Sequence, residues 1–308
     1  MPILSGHVTW DQFFLLLGTG VVDAAILAPA CLGFSLQFGI TNYVNFAYGG
    51  AMTFASFMAW TFGASKFHLG FVQYILVAAL LTGAASFLIG VFLYTPFYNR
   101  RPQLLYLLVL TFATGLILDS LYVVIWGEAP HVLAYPAGAD ITHYIGPFLV
   151  TNLELIFIAV SIVILAAVYA LLQYTALGKI MRAMADDRSL AVVCGLPINF
   201  VSNTTWFITG FLAGIAGVVL GLHSYGFDTT LGDGFVYLVF AAVIIGGIGR
   251  SLGAVVGAVI IGLVFELSSL IVGSALTPVA VFACLVVIML FRPEGLLGAT
   301  GRSAFSRA

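Results

Sequence analysis

Charged residues are scarce in this sequence. Only 7% of its 308 residues are Asp, Glu, Lys or Arg, whereas about a quarter are charged in an ordinary soluble domain. Hydrophobic residues make up 62% of the chain, and the mean hydropathy is +1.16. This composition excludes a soluble enzyme. The formal net charge of −2 leaves no basic stripe on which a nucleic-acid-binding function could depend.

Cysteine is equally scarce. Cys31, Cys194 and Cys284 are far apart and lie in or beside apolar segments, so neither a disulfide framework nor a metal-ligand spacing is present. We interpret them as small packing residues and expect no metal site. The His-Glu-x-x-His motif of metalloproteases is also absent, and we expect no catalytic residues. Residues 1–12 contain no Lys or Arg, which argues against a cleavable signal peptide and predicts that the first apolar segment stays as a membrane helix.

Long apolar runs dominate the rest of the chain. Several extend for about the 20 residues that a helix needs to cross a bilayer, whereas the strands of outer-membrane barrels alternate apolar and polar residues over about ten positions. The sequence therefore predicts an all-α polytopic membrane protein with about eight to ten transmembrane or re-entrant segments. The apolar spans lie near 13–34, 51–62, 71–95, 104–126, 152–174, 201–222, 253–273 and 277–291, with shorter, broken segments near 36–48 and 236–249.

The basic residues divide unevenly between the two sides of this topology. Lys66 falls alone on one side, and the positive-inside rule assigns the other side to the cytoplasm. The loops 127–150 and 223–235 contain no Lys or Arg and are predicted to face outward. We treat residues 1–308 as one membrane domain with a cytoplasmic loop at 175–200, and the side of the N-terminus stays open. The nine cytoplasmic basic residues are Arg100, Arg101, Lys179, Arg182, Arg188, Arg250, Arg292, Arg302 and Arg307.

Two glycine pairs suggest an internal repeat. Gly49-Gly50 and Gly246-Gly247 are each followed by two apolar helices and a Leu-aromatic-x-Pro sequence. The spacing from the first glycine to that leucine is 44 residues in both copies, from 49 to 93 and from 246 to 290. Both copies end beside cytoplasmic arginines, so we predict repeats that run in the same direction through the membrane.

A short, interrupted apolar segment precedes each glycine pair, at 39–48 and at 234–243. Such segments in corresponding positions of two halves indicate a transporter's pathway. Because non-helical backbone is tolerated at membrane depth only inside protein or beside a water-filled cavity, Asn42 and Asn45 should not face lipid. The alternative is that these amides cap or bridge neighbouring helices. Glycine rows such as Gly210 with Gly214 and Gly217 with Gly221 favour close helix packing over ligand contact.

Three acidic residues, Asp23, Asp119 and Glu266, lie well inside apolar stretches. A charge at such a position costs at least about 2.5 kcal/mol, and the sequence places no basic residue at the same depth. These carboxyl groups are therefore protonated, hydrogen-bonded to neighbours, or exposed to a wet passage, and structural pairing and pathway roles both stay open. Because they look isolated from histidines and from one another, we do not expect a proton relay.

The charged segment 177–197 predicts a short amphipathic helix on the cytoplasmic side. Arg182 and Asp186 are spaced to pair at i and i+4, and Gly195 with Pro197 should end the helix. Small residues beside charges indicate a surface that fits a groove of a partner protein. The alternative is a solvated loop that only joins two spans.

Four blocks give the chain a resemblance to a known family. The chain resembles the H-type permease subunits of the branched-chain amino acid (Liv-type) ABC importer family, and its charged loop resembles the coupling segment of ABC importers. The blocks are Gly33-Phe-Ser-Leu-Gln-Phe-Gly39 with Asn45-Phe-Ala-Tyr-Gly49, the loop residues Arg182, Ala183, Asp186, Asp187, Ala191 and Gly195, the segment Ala241–Ala254, and the tail Phe291–Leu296.

The resemblance implies a multi-pass permease of the bacterial inner membrane that is not itself an enzyme. It implies a second related permease, two cytoplasmic ATPase subunits and a periplasmic substrate-binding protein as partners, with the loop residues named above contacting the ATPase. The sequence agrees, because its only Gly-Lys pair, Gly178-Lys179, is followed by Ile180 and forms no P-loop. We therefore expect no cofactor in this chain, with ATP bound by the partner subunits. The predicted pathway residues are Asn42, Asn45, Phe46, Tyr48, Phe240, Gly246, Gly247 and Gly249.

Two departures from the family pattern affect the substrate. The family often has Asn-Phe-Ala-His-Gly-Glu where this chain has Tyr48-Gly49-Gly50, and a lysine where it has Leu238. Branched-chain or similar apolar amino acids are the first expectation, with urea, short amides or aromatic acids as alternatives. From other classes, a passive channel or an ion-coupled secondary transporter that uses Asp119 or Glu266 is also possible for a small solute.

Overall fold

The fold is described from a computed structural model. The structure describes residues 10–65, 69–100, 103–133, 135, 138, 141–145 and 148–297. Five residues that entered the topology or its loops therefore lie outside the described part of the chain: Lys66, Arg101, Asp140, Arg302 and Arg307.

The described chain is almost entirely helical, which confirms the all-α polytopic prediction. Six helical stretches are long and apolar enough to cross a membrane, and two shorter apolar helices accompany them. The helices are α1 (Trp10–Thr41), α2 (Tyr48–Trp60), α3 (Phe71–Ile89), α4 (Thr95–Asn99), α5 (Leu104–Trp126), α6 (Asn152–Tyr174), α7 (Ala176–Asp186), α8 (Arg188–Val193), α9 (Ile198–His223), α10 (Leu231–Gly246), α11 (Ser251–Val272) and α12 (Thr277–Phe291). Single π-helical turns extend α2 over Thr61–Ser65 and join α3 to α4 over Gly90–Tyr94.

Short polar side chains determine where several helices begin. The Thr151 hydroxyl accepts a hydrogen bond from the Glu154 N–H, and the Glu154 carboxylate accepts one from the Thr151 N–H, so the two residues form a capping box for α6. The Thr175 hydroxyl caps α7 in the same manner through the Gly178 N–H. These contacts satisfy backbone donors that a helix start leaves without partners.

Helix α9 is the most buried of the membrane spans, and its glycine row explains why. A Cβ at position 214 would lie 2.7 Å from the Ala79 Cα in α3, and one at position 217 would overlap the Met52 carbonyl in α2. Without these side chains the backbones approach closely, which compensates for the lack of a hydrophobic drive between helices in lipid. The predicted packing role of these glycines is confirmed.

The two halves of the bundle run in opposite directions. The last turn of α1 packs with its Leu36 and Ile40 against Met181 of α7, and α9 begins at that end with Val201. Helix α1 packs mainly against α11 and helix α9 mainly against α3, so α1–α2–α3 corresponds to α9–α10–α11 with inverted direction. We call the end that carries the two short helices the α7–α8 end.

The glycine pairs themselves are not equivalent. The helices that follow them do run in the same directions, as predicted, but Gly49 and Gly50 lie in the first turn of α2. In contrast, Gly246 ends α10, and Gly247 follows it with φ of 107°. The 44-residue spacing therefore relates the start of one helix to the end of another. It did not indicate the inverted repeat of α1–α2–α3 and α9–α10–α11.

A β-hairpin lies at the end opposite to α7 and α8, which we call the hairpin end. Strand β1 (Thr142–Ile145) pairs antiparallel with β2 (Phe148–Thr151) inside the predicted loop 127–150. The predicted loop 223–235 is shorter than expected, because α10 already begins at Leu231. The described basic residues all lie toward the α7–α8 end, among them Arg100, Arg188 and Arg250, as their contacts with Phe97, Ile40 and Leu297 indicate.

Candidate translocation and coupling site

A non-helical link at 42–47 separates α1 from α2. Asn42 ends α1 in the left-handed conformation, with φ of 58°, and its N–H donates to the Phe38 carbonyl over 2.8 Å, as is common where helices terminate. The predicted interrupted segment 39–48 is therefore too long, because residues 39–41 still belong to α1. The break itself is confirmed, six residues long and directly before Tyr48.

The link follows the last turn of α1 and returns into the bundle, where other helices hold it. The Val44 carbonyl accepts a hydrogen bond from the Thr111 hydroxyl of α5 over 3.3 Å, and the Tyr48 hydroxyl donates to the Ala30 carbonyl in the middle of α1 over 3.0 Å. Helix α2 thus starts inside the bundle instead of at its surface. Irregular backbone inside the bundle is stable because protein groups satisfy it.

Asn45 forms an Asx turn directly before the second helix. It is 6% exposed, and its Oδ1 accepts a hydrogen bond from the Ala47 N–H over 3.1 Å, whereas Ala47 itself is at the N-cap position. This local structural role is close to the capping alternative considered for the amide. The same side chain lines a cavity of about 20 Å³ together with Gln37, whose Nε2 is buried and has no hydrogen-bond partner among the described residues. A cavity of this size and polarity can hold one water molecule.

Aromatic side chains connect the link to α5 and α10. The Phe46 ring lies 5.5 Å from the Phe240 ring and 6.2 Å from the Phe112 ring, measured between centroids. Phe34 lies between Phe240, at 4.8 Å, and Tyr48, at 5.6 Å. Phe46 is 37% exposed and Tyr48 only 2% exposed. The structure thus brings four of the predicted pathway residues together, namely Asn45, Phe46, Tyr48 and Phe240. We call the surface of Phe46, Phe112 and Phe240 the aromatic face.

The three predicted pathway glycines lie elsewhere. Gly246 packs against Gly253 of α11, where a Cβ would overlap the Gly253 carbonyl, while Gly247 and Gly249 form the loop to α11 with φ of 107° and 80°. Gly249 lines a cleft between α6 and α11 at the α7–α8 end. These glycines therefore build a helix connection on a surface separate from the aromatic face.

The same loop matches the Gly-x-Ser-x-Gly pattern of hydrolases over Gly249–Gly253. In those enzymes the serine follows a strand and faces a histidine. Here Ser251 starts α11 after a helix and a loop, and among the described residues no histidine lines the adjoining cleft. The match carries no hydrolase site.

The acidic residues of the membrane interior have acidic neighbours that the sequence did not reveal. The Asp119 carboxyl in α5 lies close to that of Asp233, which belongs to the first turn of α10 and not to a loop. Asp233 lies against Gly49 and Asp119 faces Gly50, so both carboxyl groups meet at the start of α2. This position at a helix N-terminus favours negative charge, and it is compatible with the pairing role and with the pathway role.

Asp23 and Glu266 form a second group near the hairpin end. The Asp23 carboxylate lies 3.3 Å from the His223 Nε2, the Glu266 carboxyl lies close to Asp23, and the Thr19 hydroxyl donates to Glu266 over 3.2 Å. The expectation that these acids are isolated from histidine and from each other is wrong, because α1, α9 and α11 bring them together. The reason for not expecting a proton relay therefore no longer holds. The pairing of these acidic groups explains how they are tolerated inside the membrane.

The charged loop forms two short helices instead of one. Asp187 breaks the helix and caps α8, with its Oδ1 accepting from the Ser189 and Leu190 N–H groups over 2.9 and 3.0 Å. No ion pair joins Arg182 to Asp186 in the described part of the chain, because Arg182 instead donates to the Gln173 Oε1 over 3.0 Å. The predicted pairing at i and i+4 is therefore wrong.

The predicted coupling residues divide between the surface and the core. Ala183, Asp186 and Gly195 are exposed, whereas Ala191 is 3% exposed and packs with Met181 and Met184 against α1. Next to the exposed residues, Leu190, Val192 and Val193 present an apolar surface, with Val193 84% exposed. We call Ala183, Asp186, Leu190, Val192, Val193 and Gly195 the coupling surface.

Arg188 connects this surface to the link, and sequence reasoning missed it as a site residue. Its Nη1 donates to the Ile40 carbonyl in the last turn of α1 over 2.9 Å, and its guanidinium stacks over the Tyr98 ring at 4.6 Å. A cation favours the C-terminal end of a helix. The only sequence signal was an arginine directly after the helix-capping Asp187, because the acceptor lies 148 positions away in the chain.

Comparisons with known proteins agree on one description. A family model for the permease component of branched-chain amino acid transport systems matches residues 16–291. The high-affinity branched-chain amino acid permease LivH of Escherichia coli strain K12 is 26% identical, over 94% of this chain and 97% of that protein. BraD of Pseudomonas aeruginosa is 24% identical over 92% and 94%, and a probable LivH of Methanocaldococcus jannaschii is 28% identical over 85% and 82%. No solved structure matches the chain.

Proposed function

Because this chain belongs to the family of permease components of branched-chain amino acid transport systems, we propose that it is the membrane subunit of an ATP-driven importer. Its cargo is a branched-chain or similar apolar amino acid, carried across the bacterial inner membrane. The observation that carries this proposal is the helix break at 42–47, which returns into the bundle beside partly exposed aromatic side chains.

The aromatic face is the proposed passage for the side chain of the amino acid. Phe46 and Phe240 contact each other and offer apolar surface beside the N-terminal end of α2. The N-terminus of a half-helix is positive and suits a substrate carboxylate. The Asp119 and Asp233 carboxyl groups next to Gly49 supply acceptors for an ammonium group. Together these groups suit a zwitterion with an apolar side chain better than they suit urea, which has no apolar part.

The α7–α8 end is the proposed cytoplasmic end, because the described basic residues collect there. The coupling surface docks on an ATPase subunit, which supplies ATP hydrolysis. Movement of α8 is then transmitted through Arg188 to the last turn of α1 and so to the link. A second, related permease completes the passage, and a periplasmic binding protein delivers the amino acid at the hairpin end.

The test is uptake by proteoliposomes that contain the chain with its co-purified partner subunits and binding protein. We expect labelled leucine to accumulate only with ATP on the side of the coupling surface, and urea not to accumulate. Phe46→Ala and Phe240→Ala should reduce uptake at least about tenfold, a loss of roughly 1.4 kcal/mol in transition-state stabilisation. Phe92→Ala is the matched control, because Phe92 lies in the π-helical turn after α3, is 75% exposed and is outside the aromatic face.

Three results would contradict the proposal. Uptake by the chain alone without ATP would instead identify a channel or a secondary carrier. ATP-dependent uptake of urea or a short amide in place of leucine would show that the substrates are small amides and not apolar amino acids. Equal uptake in the Phe46→Ala and Phe92→Ala variants would remove the aromatic face from the passage while leaving the importer assignment intact.

A further inference from the structure

A cleft of about 740 Å³ opens between α6 and α11 at the α7–α8 end. The proposed passage does not use this cleft. Its floor is Leu32 of α1, which lies at the bottom because α6 and α11 both pack against α1 and leave a gap between them. The residues that line it are Leu32, Leu165, Ala166, Tyr169, Leu172, Gln173, Arg182, Ala185, Asp186, Gly249, Arg250, Ser251, Leu252, Gly253, Val255 and Leu297.

The walls of the cleft are apolar and reach the membrane-facing surface. Leu165, Tyr169 and Leu172 form the wall on α6, and Leu252 and Val255 form the wall on α11. Tyr169 is 46% and Leu252 62% exposed, so the mouth of the cleft is open on the side of the bundle. A groove between two membrane-facing helices with such walls suits a hydrocarbon chain.

The part of the cleft between α7 and the loop before α11 is basic. Arg182 and Arg250, both exposed, line it there. Each guanidinium has five N–H donors, and the structure shows Arg182 donating to the Gln173 Oε1 and Arg250 to the Leu297 carbonyl. Both therefore keep donors for a further acceptor inside the cleft.

The start of α11 adds to this basic part of the cleft. The N–H groups of Ser251, Leu252 and Gly253 have no acceptor among the described residues, as expected for the first turn of a helix without a side-chain cap. Arg250, at the N-cap position, supplies no acceptor either. Asp186 also lines the cleft and reduces the charge of the two arginines to a net charge of one. The site therefore fits a group with a single negative charge.

We propose that this cleft binds an anionic phospholipid of the cytoplasmic leaflet. Its phosphodiester lies between Arg182, Arg250 and the first turn of α11, and one acyl chain lies between α6 and α11. Basic pockets between membrane helices on the cytoplasmic side are where anionic headgroups bind. The apolar walls favour a lipid over a soluble phosphate, which would leave them empty. The lipid would also tie α7, a part of the coupling segment, to the core helix α11.

This assignment gives a role to the glycine-rich loop that the passage does not use. Gly249 turns the chain with φ of 80° and lies against Gly39 of α1. That turn presents Arg250 and the start of α11 to the cleft. A loop of glycines before a helix start brings backbone N–H groups close to a phosphate in other proteins as well.

The experiment is native mass spectrometry of the full chain, purified with its partner subunits and titrated with phosphatidylglycerol or with phosphatidylcholine of the same acyl chains. We expect phosphatidylglycerol to stay bound at collision energies that remove phosphatidylcholine. Each arginine near anionic headgroups contributes a factor of about five in affinity, so the double variant Arg182→Gln/Arg250→Gln should bind phosphatidylglycerol roughly tenfold or more weakly. Arg292→Gln, an exposed arginine at the same end that does not line the cleft, is the control for charge alone.

A second pair of variants separates the cleft from general surface charge. Ala166→Trp fills the cleft and leaves both arginines, and Ala167→Trp places the same ring on an exposed neighbour outside it. Loss of bound lipid in Ala166→Trp but not in Ala167→Trp supports the proposal. Equal lipid binding in all variants overturns it, as does a cleft occupied by a partner subunit, which Ala166→Trp would reveal as dissociation of the complex without loss of lipid. Inorganic phosphate that competes as well as phosphatidylglycerol would also overturn it.

Discussion

The two breaks in the helical structure, at 42–47 and at 247–250, each lie beside a glycine pair but are built differently. In the first break, side chains make the structure, since the Asn45 Oδ1 accepts from the Ala47 N–H and the Tyr48 hydroxyl reaches the Ala30 carbonyl. In the second, which follows the predicted interrupted segment 234–243 because that segment is continuous helix in α10, the backbone makes the structure through the positive φ angles of Gly247 and Gly249. The breaks meet where Gly249 lies against Gly39, but the first leads to the aromatic face and the second borders the cleft. Substitutions should therefore affect transport at the first break and mainly stability or lipid binding at the second.

The largest effect is expected where α10 meets the start of α2. In Gly232→Ala, the new Cβ would overlap the Gly49 carbonyl, and overpacking of this kind costs about 1–3 kcal/mol. We expect a fall of several degrees in the unfolding temperature of the purified complex and loss of uptake, because α2 must move away from α10. Gly234→Ala, two positions along, meets no atom within 4 Å and should behave like the wild type. Equal stability of the two variants would contradict this packing.

At the first break, Asn45→Leu should abolish uptake while the subunits still assemble. The change removes the acceptor of the Ala47 N–H and so the turn that leads into α2, at a cost of about 1 kcal/mol. Asn45→Ser keeps a hydroxyl acceptor for this turn and should retain part of the uptake. Both are measured as ATP-dependent leucine uptake, with subunit stoichiometry as the assembly control. Normal uptake in Asn45→Leu would show that this turn bond is dispensable.

Arg188→Gln should separate ATP hydrolysis from transport. Without the guanidinium, the Ile40 carbonyl and the Tyr98 ring lose their contact with α8, so movement of the coupling surface no longer reaches the link. We expect ATPase activity to persist while uptake per ATP hydrolysed falls several-fold, and Arg188→Lys to restore part of it. Lys179→Gln, on the exposed side of α7, should change neither quantity. A parallel fall of hydrolysis and uptake would instead indicate a purely structural role.

The smallest effect is expected at the second break. Gly249→Ala introduces a side chain at φ of 80°, with ordinary contact to Gly39, and a left-handed non-glycine residue costs about 1–2 kcal/mol. The unfolding temperature should fall by a few degrees while leucine uptake per folded complex stays normal. Reduced uptake without a change in stability would place this loop in the passage, as the sequence suggested.

The sequence identified the helical spans and the position of the first break well, because hydropathy and glycine placement act locally. It extended that segment by three residues, since Gly39, Ile40 and Thr41 can continue a helix as readily as end one. It also placed Asp233 in a loop, although the apolar residues after it allow α10 to begin at Leu231. Helix ends depend on caps and tertiary contacts that hydropathy does not contain.

The coupling segment shows a similar division. Its amphipathic character was predictable, but the break at Asp187 and the burial of Ala191 were not, because both depend on the contact of α7 and α8 with α1. A bulky residue at position 191 would therefore disturb packing against α1 before it could disturb docking. The sequence also did not indicate that Leu190 and Val193, the apolar part of the coupling surface, are exposed, because apolar residues in a helix are usually buried.

By itself, the sequence determined that this protein spans a membrane many times, where its apolar helices lie and which end collects the basic residues. Those properties follow from composition and local spacing, because the length of an apolar segment and the basic residues beside it determine how it inserts into a bilayer. Tertiary structure alone decided which distant groups meet: Asp119 with Asp233, Asp23 with His223 and Glu266, and Arg188 with the end of α1. The packing of helices that are distant in sequence brings these residues together, and nothing in their local sequence specifies a partner that lies more than a hundred positions away.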